Sequence, residues 1–171
     1  MTKQKESLRI AYRNSSAMDE FVVLRQGRTN NTGVELKWGF RRVPLSRGRH
    51  HGGYVCAFRN QPILRVESAL ERHVLKALSA EAACIALATQ PVTIQWVWRG
   101  ALRRYTPDIL AMFDVLPDRW HASGMERSTL IEVKPDRFYV EDDLWRERIR
   151  IIRVALGIPL MRLPSAQEVL L

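Results

Sequence analysis

The stretch Pro107-Asp-Ile-Leu-Ala-Met-Phe113, with Thr129-Leu-Ile-Glu-Val-Lys-Pro135 behind it, decides the fold. Ile109 to Phe113 is a continuous apolar run of strand length, the pattern of a strand buried on both faces. Thr129 to Val133 has β-branched residues along its length and is stopped by Pro135, so it reads as a second strand. Charge sits at one end of each: Asp108 at the mouth of the first strand, Glu132 and Lys134 at the end of the second. Residues two apart on a strand share a face, so Glu132 and Lys134 point the same way, and Asp108 meets them if the two strands are neighbours.

Upstream, Val92-Thr-Ile-Gln-Trp-Val-Trp98 alternates and is rich in β-branched and aromatic residues, a strand. Arg99-Gly100 turns it back into Leu102 to Tyr105 as a hairpin. Trp96 and Trp98 read as packing residues. Residues 67–79 predict a helix, because Leu70, Val74 and Leu78 recur at i, i+4 and i+8. Downstream, residues 117–127 read as a polar loop. Asp142 and Asp143 open a helix whose apolar face uses Leu144, Ile151, Ile152 and Ala155, and Gly157 then Pro159 close it. Ile158 to Leu163 is a last strand, with a terminal helical turn from Ser165. The order helix, three strands, helix, strand is an α/β arrangement, a mixed sheet flanked by helices.

The first residues have less pattern. Glu20-Phe-Val-Val-Leu24 reads as a short strand, and residues 41–53, broken by proline and glycine, as a basic loop. Residues 1–65 carry 13 Lys and Arg against four acids, whereas residues 66–171 carry 14 of each, so the whole net charge of +9 belongs to the first 65 residues. Of the 27 basic residues 22 are arginine, whose planar fork matches phosphate oxygens, and a polyanion partner is expected. The expected organisation is a basic N-terminal extension over residues 1–40 and one domain over 41–171. No apolar run is long enough to cross a bilayer. Cys56 and Cys84 lack metal-site or disulfide-framework spacing, and a reduced cytoplasmic location is expected.

Two carboxylates converging on a point repel unless a cation lies between them. Oxygen-only donors suit Mg²⁺, with Mn²⁺ as its substitute, and Mg²⁺ keeps waters that an incoming phosphate can replace. A lysine beside such a site can orient or activate the attacking water. That set fits phosphodiester hydrolysis. The helix before the strands offers a third acid, Glu67 or Glu71, one turn apart and both beside the apolar stripe. Ser68-x-x-Glu71 also fits a capping box, which would make Glu71 a helix-start device, and spacing does not choose between the two acids. His73 reads as a surface residue, and His121 has no assigned role.

From about Val43 to Leu163 the chain resembles TnsA, the endonuclease subunit of heteromeric cut-and-paste transposases, within the PD-(D/E)xK superfamily. The resemblance rests on Val43-Pro-Leu-Ser-Arg-Gly-Arg-His-His51, Val66-Glu-Ser-Ala-Leu-Glu-Arg72, Gln90-Pro-Val-Thr-Ile94, Tyr105-Thr-Pro-Asp-Ile-Leu110, Leu130-Ile-Glu-Val-Lys-Pro135 and Gly157-Ile-Pro159. It implies a restriction-endonuclease-like core, two Mg²⁺ ions and cleavage of double-stranded DNA at the 5′ ends of a mobile element. A TnsB-like transposase would cut the 3′ ends, with a TnsC-like AAA+ ATPase as a further partner.

Residue by residue, the resemblance selects Glu71 as the helix acid. It makes Asp108 and Glu132 metal ligands and Lys134 the catalytic lysine, and the Val133 carbonyl between them is expected to add a ligand. It lays the basic stretch Ser46, Arg47, Arg49, His50 and His51 on DNA, where Arg41 and Arg42 are expected to join it. Two rivals are a standalone repair, resolvase or defence nuclease of the same fold, and a non-catalytic DNA-binding assembly protein whose carboxylates are structural.

Overall fold

The computed structural model describes residues 8–26, 33–39, 46–47 and 50–163. In chain order the elements are β1 (Ile10–Tyr12), α1 (Ser15–Gln26), β2 (Glu35–Trp38), β3 (Ser46–Arg47), β4 (His50–His51), β5 (Gly53–Val55) and β6 (Leu64–Val66). They continue with α2 (Ala69–Ala80), β7 (Cys84–Thr89), β8 (Val92–Trp98), β9 (Ala101–Tyr105), β10 (Ile109–Phe113) and α3 (Asp118–Ala122). The last are β11 (Ser128–Val133), a 3-10 turn at Asp136–Phe138, α4 (Asp143–Leu156) and β12 (Leu160–Leu163).

The main sheet has five strands in the order β1-β7-β10-β11-β12. Only the β11–β12 pair is parallel, with Glu132 beside Arg162, and its crossover is α4. The sheet is therefore mixed, with helices on both faces. A second, antiparallel sheet runs β2-β8-β9. Its β8–β9 hairpin turns through Arg99 at φ 51° and Gly100 at φ 74°, the double positive-φ turn that suits strand twist. Two short ladders, β3–β4 and β5–β6, lead into α2.

Side chains of the main sheet alternate between two cores. On one face Leu110, Met112, Leu130 and Leu160 pack with Trp145, Ile151, Ile152 and Ala155 of α4, with Ile94 and Trp96 of β8, and with Phe21 of α1. On the other, Ile109, Ala111, Ile131 and Leu163 pack with Val74, Leu75 and Leu78 of α2, with Leu64 and Val66 of β6, and with Trp120 of α3. Helices α2 and α4 thus lie on opposite faces. No helix among the described residues is long and apolar enough to cross a membrane, and Cys56 and Cys84 are both free thiols.

The expected strands at Val92–Trp98, Leu102–Tyr105, Ile109–Phe113 and Thr129–Val133, and both expected helices, are present within a residue or two at their ends. Asp142 caps α4 by accepting the Trp145 N–H at 2.7 Å, and Gly157 ends it at φ 72°.

Four expectations change. Glu20 to Leu24 is part of α1 and not a strand: Ala17 and Phe21, four apart, are its buried face, while Val22 and Val23 are exposed. Cys84–Thr89, unassigned from the sequence, is a central strand. The loop over 117–127 contains α3, which buries Trp120. Within the basic loop of 41–53, Ser46–Arg47 pairs with His50–His51 and Gly53 starts β5.

The first 40 residues are not a detached arm where they are described. β1 pairs with β7 along Ile10 to Tyr12, α1 buries Phe21, and β2 pairs with β8. Residues 1–7, Arg41, Arg42, Arg49 and the turn expected from Ser165 lie outside the described residues.

Candidate active site

The end of the main sheet where β10 begins and β7, β11 and β12 finish is where the expected residues meet. Asp108 enters β10 with its N–H on the Ile131 carbonyl at 3.0 Å, and its own carbonyl accepts the Gln90 N–H at 2.7 Å. Its Oδ2 accepts the Val133 N–H at 2.7 Å. The Asp108 carboxylate is thus bolted to the backbone between Glu132 and Lys134. That bond uses the Val133 amide and not the Val133 carbonyl, the expected ligand.

Glu132 projects toward the face covered by the β8–β9 hairpin, where the buried Tyr105 hydroxyl donates to its Oε2 at 2.6 Å. Lys134 follows β11 and donates its backbone N–H to the Leu163 carbonyl at 3.4 Å. Its ammonium makes no hydrogen bond or ion pair among the described residues.

Glu71 approaches from the start of α2 and is buried. Its N–H donates to Ser68 Oγ at 3.1 Å, the Ser68 hydroxyl donates to its Oε1 at 3.0 Å, and the Glu67 N–H donates to its Oε2 at 2.9 Å. The capping arrangement anticipated for Ser68 and Glu71 is therefore formed, and the capping carboxylate is also the one that faces the strand acids. Both roles fall on one side chain.

The acids feel one another. Burial lifts the Asp108 carboxyl well above its usual range, and the charges of Glu132, Glu71 and Glu67 lift it further, against the Val133 hydrogen bond. Burial raises Glu71 too, with Glu67 and Glu132 adding and its hydrogen bonds from Glu67 and Ser68 opposing. The Tyr105 phenol is pushed well up by burial and then by Glu132, against a favourable charge from Arg148. This is a knot of negative charge drawn from three elements, the condition under which a bound cation is most favourable.

Donor chemistry fits a hard divalent ion, since the set is carboxylate oxygen throughout. The positions are not those of a closed site. Among the described residues no three His, Cys, Asp or Glu side chains are close enough to hold a metal ion. Among the described residues Asp108 Oδ1 and Glu132 Oε1 carry no hydrogen bond, whereas both Glu71 oxygens are engaged at the helix start.

The sequence reading missed three participants. Gln90, buried, donates its side-chain N–H to Glu67 Oε1 at 2.7 Å and so ties the helix start to the sheet. Its φ of 44° is a left-handed conformation uncommon for a residue with a Cβ, and its Oε1 is buried without a partner among the described residues. A glutamine before a proline carries no signal for either feature. Tyr105 reads from the sequence as a hairpin residue, and Arg148 as one arginine among many. Glu67, weighed against Glu71, is present beside it and bonded to Gln90.

Of the expected DNA-contacting residues, Ser46, Arg47, His50 and His51 form a two-stranded ribbon by backbone pairing. Compared with known proteins, the chain matches no protein-family model and no curated relative.

Proposed function

We propose that this chain is a Mg²⁺-dependent DNA endonuclease of the restriction-endonuclease-like kind, acting as the TnsA-like subunit of a transposase. The observation that carries the reading is that the buried Asp108 carboxyl feels the charges of both Glu132 and Glu71 at one sheet end, next to a lysine with no acidic partner among the described residues. Structural ion pairs match acids to bases. Here the acids face each other, and Asp108 binds its proton more tightly because of its burial first and the charges of Glu132 and Glu71 second. An edge decorated only for solubility would not bury Glu71 or raise Asp108.

Asp108 and Glu132 would hold the metal through their free oxygens. Glu71 would join them by releasing Ser68, and the Val133 carbonyl would be a further ligand. Bound there, a pair of Mg²⁺ ions would polarise the scissile phosphate and supply charge neutralisation. The chain's own residues have the remaining tasks. The Val133 amide keeps Asp108 aimed outward from the strand. Tyr105 fixes the rotamer of Glu132. The Lys134 ammonium orients the attacking water or binds the phosphate it attacks. The 41–51 stretch grips the DNA backbone of the transposon ends, which fixes position without reading sequence. Target choice then falls to a TnsB-like transposase that cuts the opposite strand, with a TnsC-like AAA+ ATPase as regulator.

The test is nicking of supercoiled plasmid with Mg²⁺ or Mn²⁺, with and without a candidate transposase partner. Metal-dependent cutting is expected, lost in Asp108→Ala and Lys134→Ala, and raised by the partner. Cutting that survives both substitutions overturns the assignment of the site. Partner-independent cutting selects the standalone nuclease, and Mn²⁺ binding by calorimetry that is unchanged in Asp108→Ala favours the structural reading of the acids.

A further inference from the structure

Helix α4 carries four arginines, and three of them are matched to acids. Arg146 pairs with Glu141 at 3.7 Å, Arg150 bonds Glu147 at 2.7 and 2.8 Å, and Arg153 bonds Glu126 at 2.7 Å. Arg148 differs in both position and partners. It stands four residues after Leu144 and four before Ile152, on the stripe that buries Trp145, Ile151, Ile152 and Ala155. Its guanidinium carbon lies 4.5 Å from the centroid of the Tyr105 ring, and its Nε is buried with no hydrogen-bond partner. Among the described residues it forms no hydrogen bond and no ion pair, Glu132 included.

Arg148 is half-buried, and a guanidinium nitrogen buried without a partner, as its Nε is, is costly unless an acceptor arrives from outside the chain. Burial against Tyr105 holds its planar fork in one orientation and reduces the entropy that binding would cost. The neighbourhood says where that acceptor belongs. The Tyr105 ring under Arg148 ends in the hydroxyl that donates to Glu132, so the cation stands one aromatic ring away from the acid cluster. It approaches from the α4 face, opposite the α2 face from which Glu71 comes. Glu132 and Arg148 thus share the α4 side of the sheet end, while Glu71 reaches it from the α2 side.

We infer that Arg148 is a DNA-phosphate-binding residue of this site, receiving the backbone phosphate oxygens of the strand that lies across Glu132. The inference rests on the nuclease reading and extends it. Contact with DNA would then come from α4 as well as from the basic stretch at 41–51. The fork supplies two parallel donors to a phosphate, which lysine cannot reproduce.

The experiment compares wild type, Arg148→Met and Arg148→Lys by fluorescence anisotropy on a labelled DNA duplex in Ca²⁺, over a salt series. Methionine retains the apolar stripe and the stacking on Tyr105, and thermal melts verify that each variant folds. Mn²⁺ binding is read in parallel by calorimetry.

The expected result for Arg148→Met is affinity weaker by roughly tenfold to a hundredfold, a salt slope shallower by about one, and unchanged Mn²⁺ binding. Arg148→Lys should fall between the two. DNA affinity and slope equal to wild type in Arg148→Met overturn the inference and leave Arg148 a packing partner of Tyr105. Equal losses of DNA and Mn²⁺ binding overturn it as well, since the arginine would then act through Glu132. Wild type that binds neither DNA nor Mn²⁺ removes the nuclease reading itself, a failure visible before any variant is made.

Discussion

Asp108 and Glu71 are acids whose folded-state environment favours the proton. For such a group the native state binds more protons than the unfolded chain, so stability falls as pH rises from the ordinary carboxylate range through the raised folded value. Asp108→Asn removes the charge and keeps an oxygen for the Val133 N–H. It should raise the melting temperature at pH 7 in metal-free buffer, by about 2–4 °C for each kcal/mol relieved. The gain should shrink as the pH falls toward and below the ordinary aspartate value of 3.8, where Asp108 becomes protonated in both states. A melting temperature unchanged at pH 7 would mean that the acids do not repel as their positions require.

Ser68→Ala should act in the opposite sense on two readouts. Loss of the cap costs about 1 kcal/mol in thermal or urea unfolding. Freeing Glu71 Oε1 should leave Mn²⁺ affinity undiminished or improved, as measured by calorimetry. A clear loss of Mn²⁺ affinity would show that the cap, not the carboxylate's freedom, sets the site. At this scale the sequence was informative about the residues that carry charge and end a strand, namely Asp108, Glu132 and Lys134. Gln90 and Tyr105 act through a backbone angle and a single hydroxyl. Neither has a periodicity or a composition to reveal it.

Among the elements, strands bounded by turn chemistry were legible: Arg99-Gly100 sets the hairpin, and Pro135 ends β11. β7 was not, for a physical reason. Cys84-Ile-Ala-Leu-Ala-Thr89 is buried on both faces, so it lacks alternation, and its alanines continue the composition of the helix before it. In α1 the misleading signal was Phe-Val-Val-Leu, whose β-branched pair suggests a strand although both valines face outward. The informative signal was Asn14, whose Oδ1 accepts the Ala17 N–H at 2.8 Å.

The burial contrast along α1 can be tested directly. Phe21 is buried and meets Trp38 edge-on, with ring centroids 5.6 Å apart. Phe21→Ala should cost about 3–5 kcal/mol of unfolding free energy, whereas Val23→Ala should stay within about 0.5 kcal/mol. Similar costs at the two positions would contradict the helix.

On the scale of the whole molecule, the charge asymmetry of the sequence suggested a separable basic extension. The described part of that extension belongs to the body of the fold, because β1 borders the main sheet and β2 borders the second one. Deleting residues 1–40 should therefore produce protein that is unfolded or aggregated, with the cooperative melt of the full chain lost. A truncated chain with a full, cooperative melt would restore the detachable-arm reading. The overall layering, helices over both faces of a mixed sheet, was legible because each major apolar stripe has one period and one length. Which strand lies beside which was legible only for the β8–β9 hairpin, because that pair interrupts the main sheet in sequence yet belongs to another and hides β7 beside β10.

The order β1-β7-β10-β11-β12 also says something about time. The middle strand of the sheet is β10, and its two rims, β1 and β12, are the first and last strands of the described chain. Pairings between β7, β10 and β11 join segments tens of residues apart, so each requires a sizeable loop to close before any reward is returned. Assembly is accordingly slow at its nucleus and completes outward. Native-state hydrogen exchange should find the amides of β10 among the last to open and those of β1 and β12 among the first. The Asp108 end of β10 then stands on the most persistent strand, while the Arg162 strand beside Glu132 is the one that breathes.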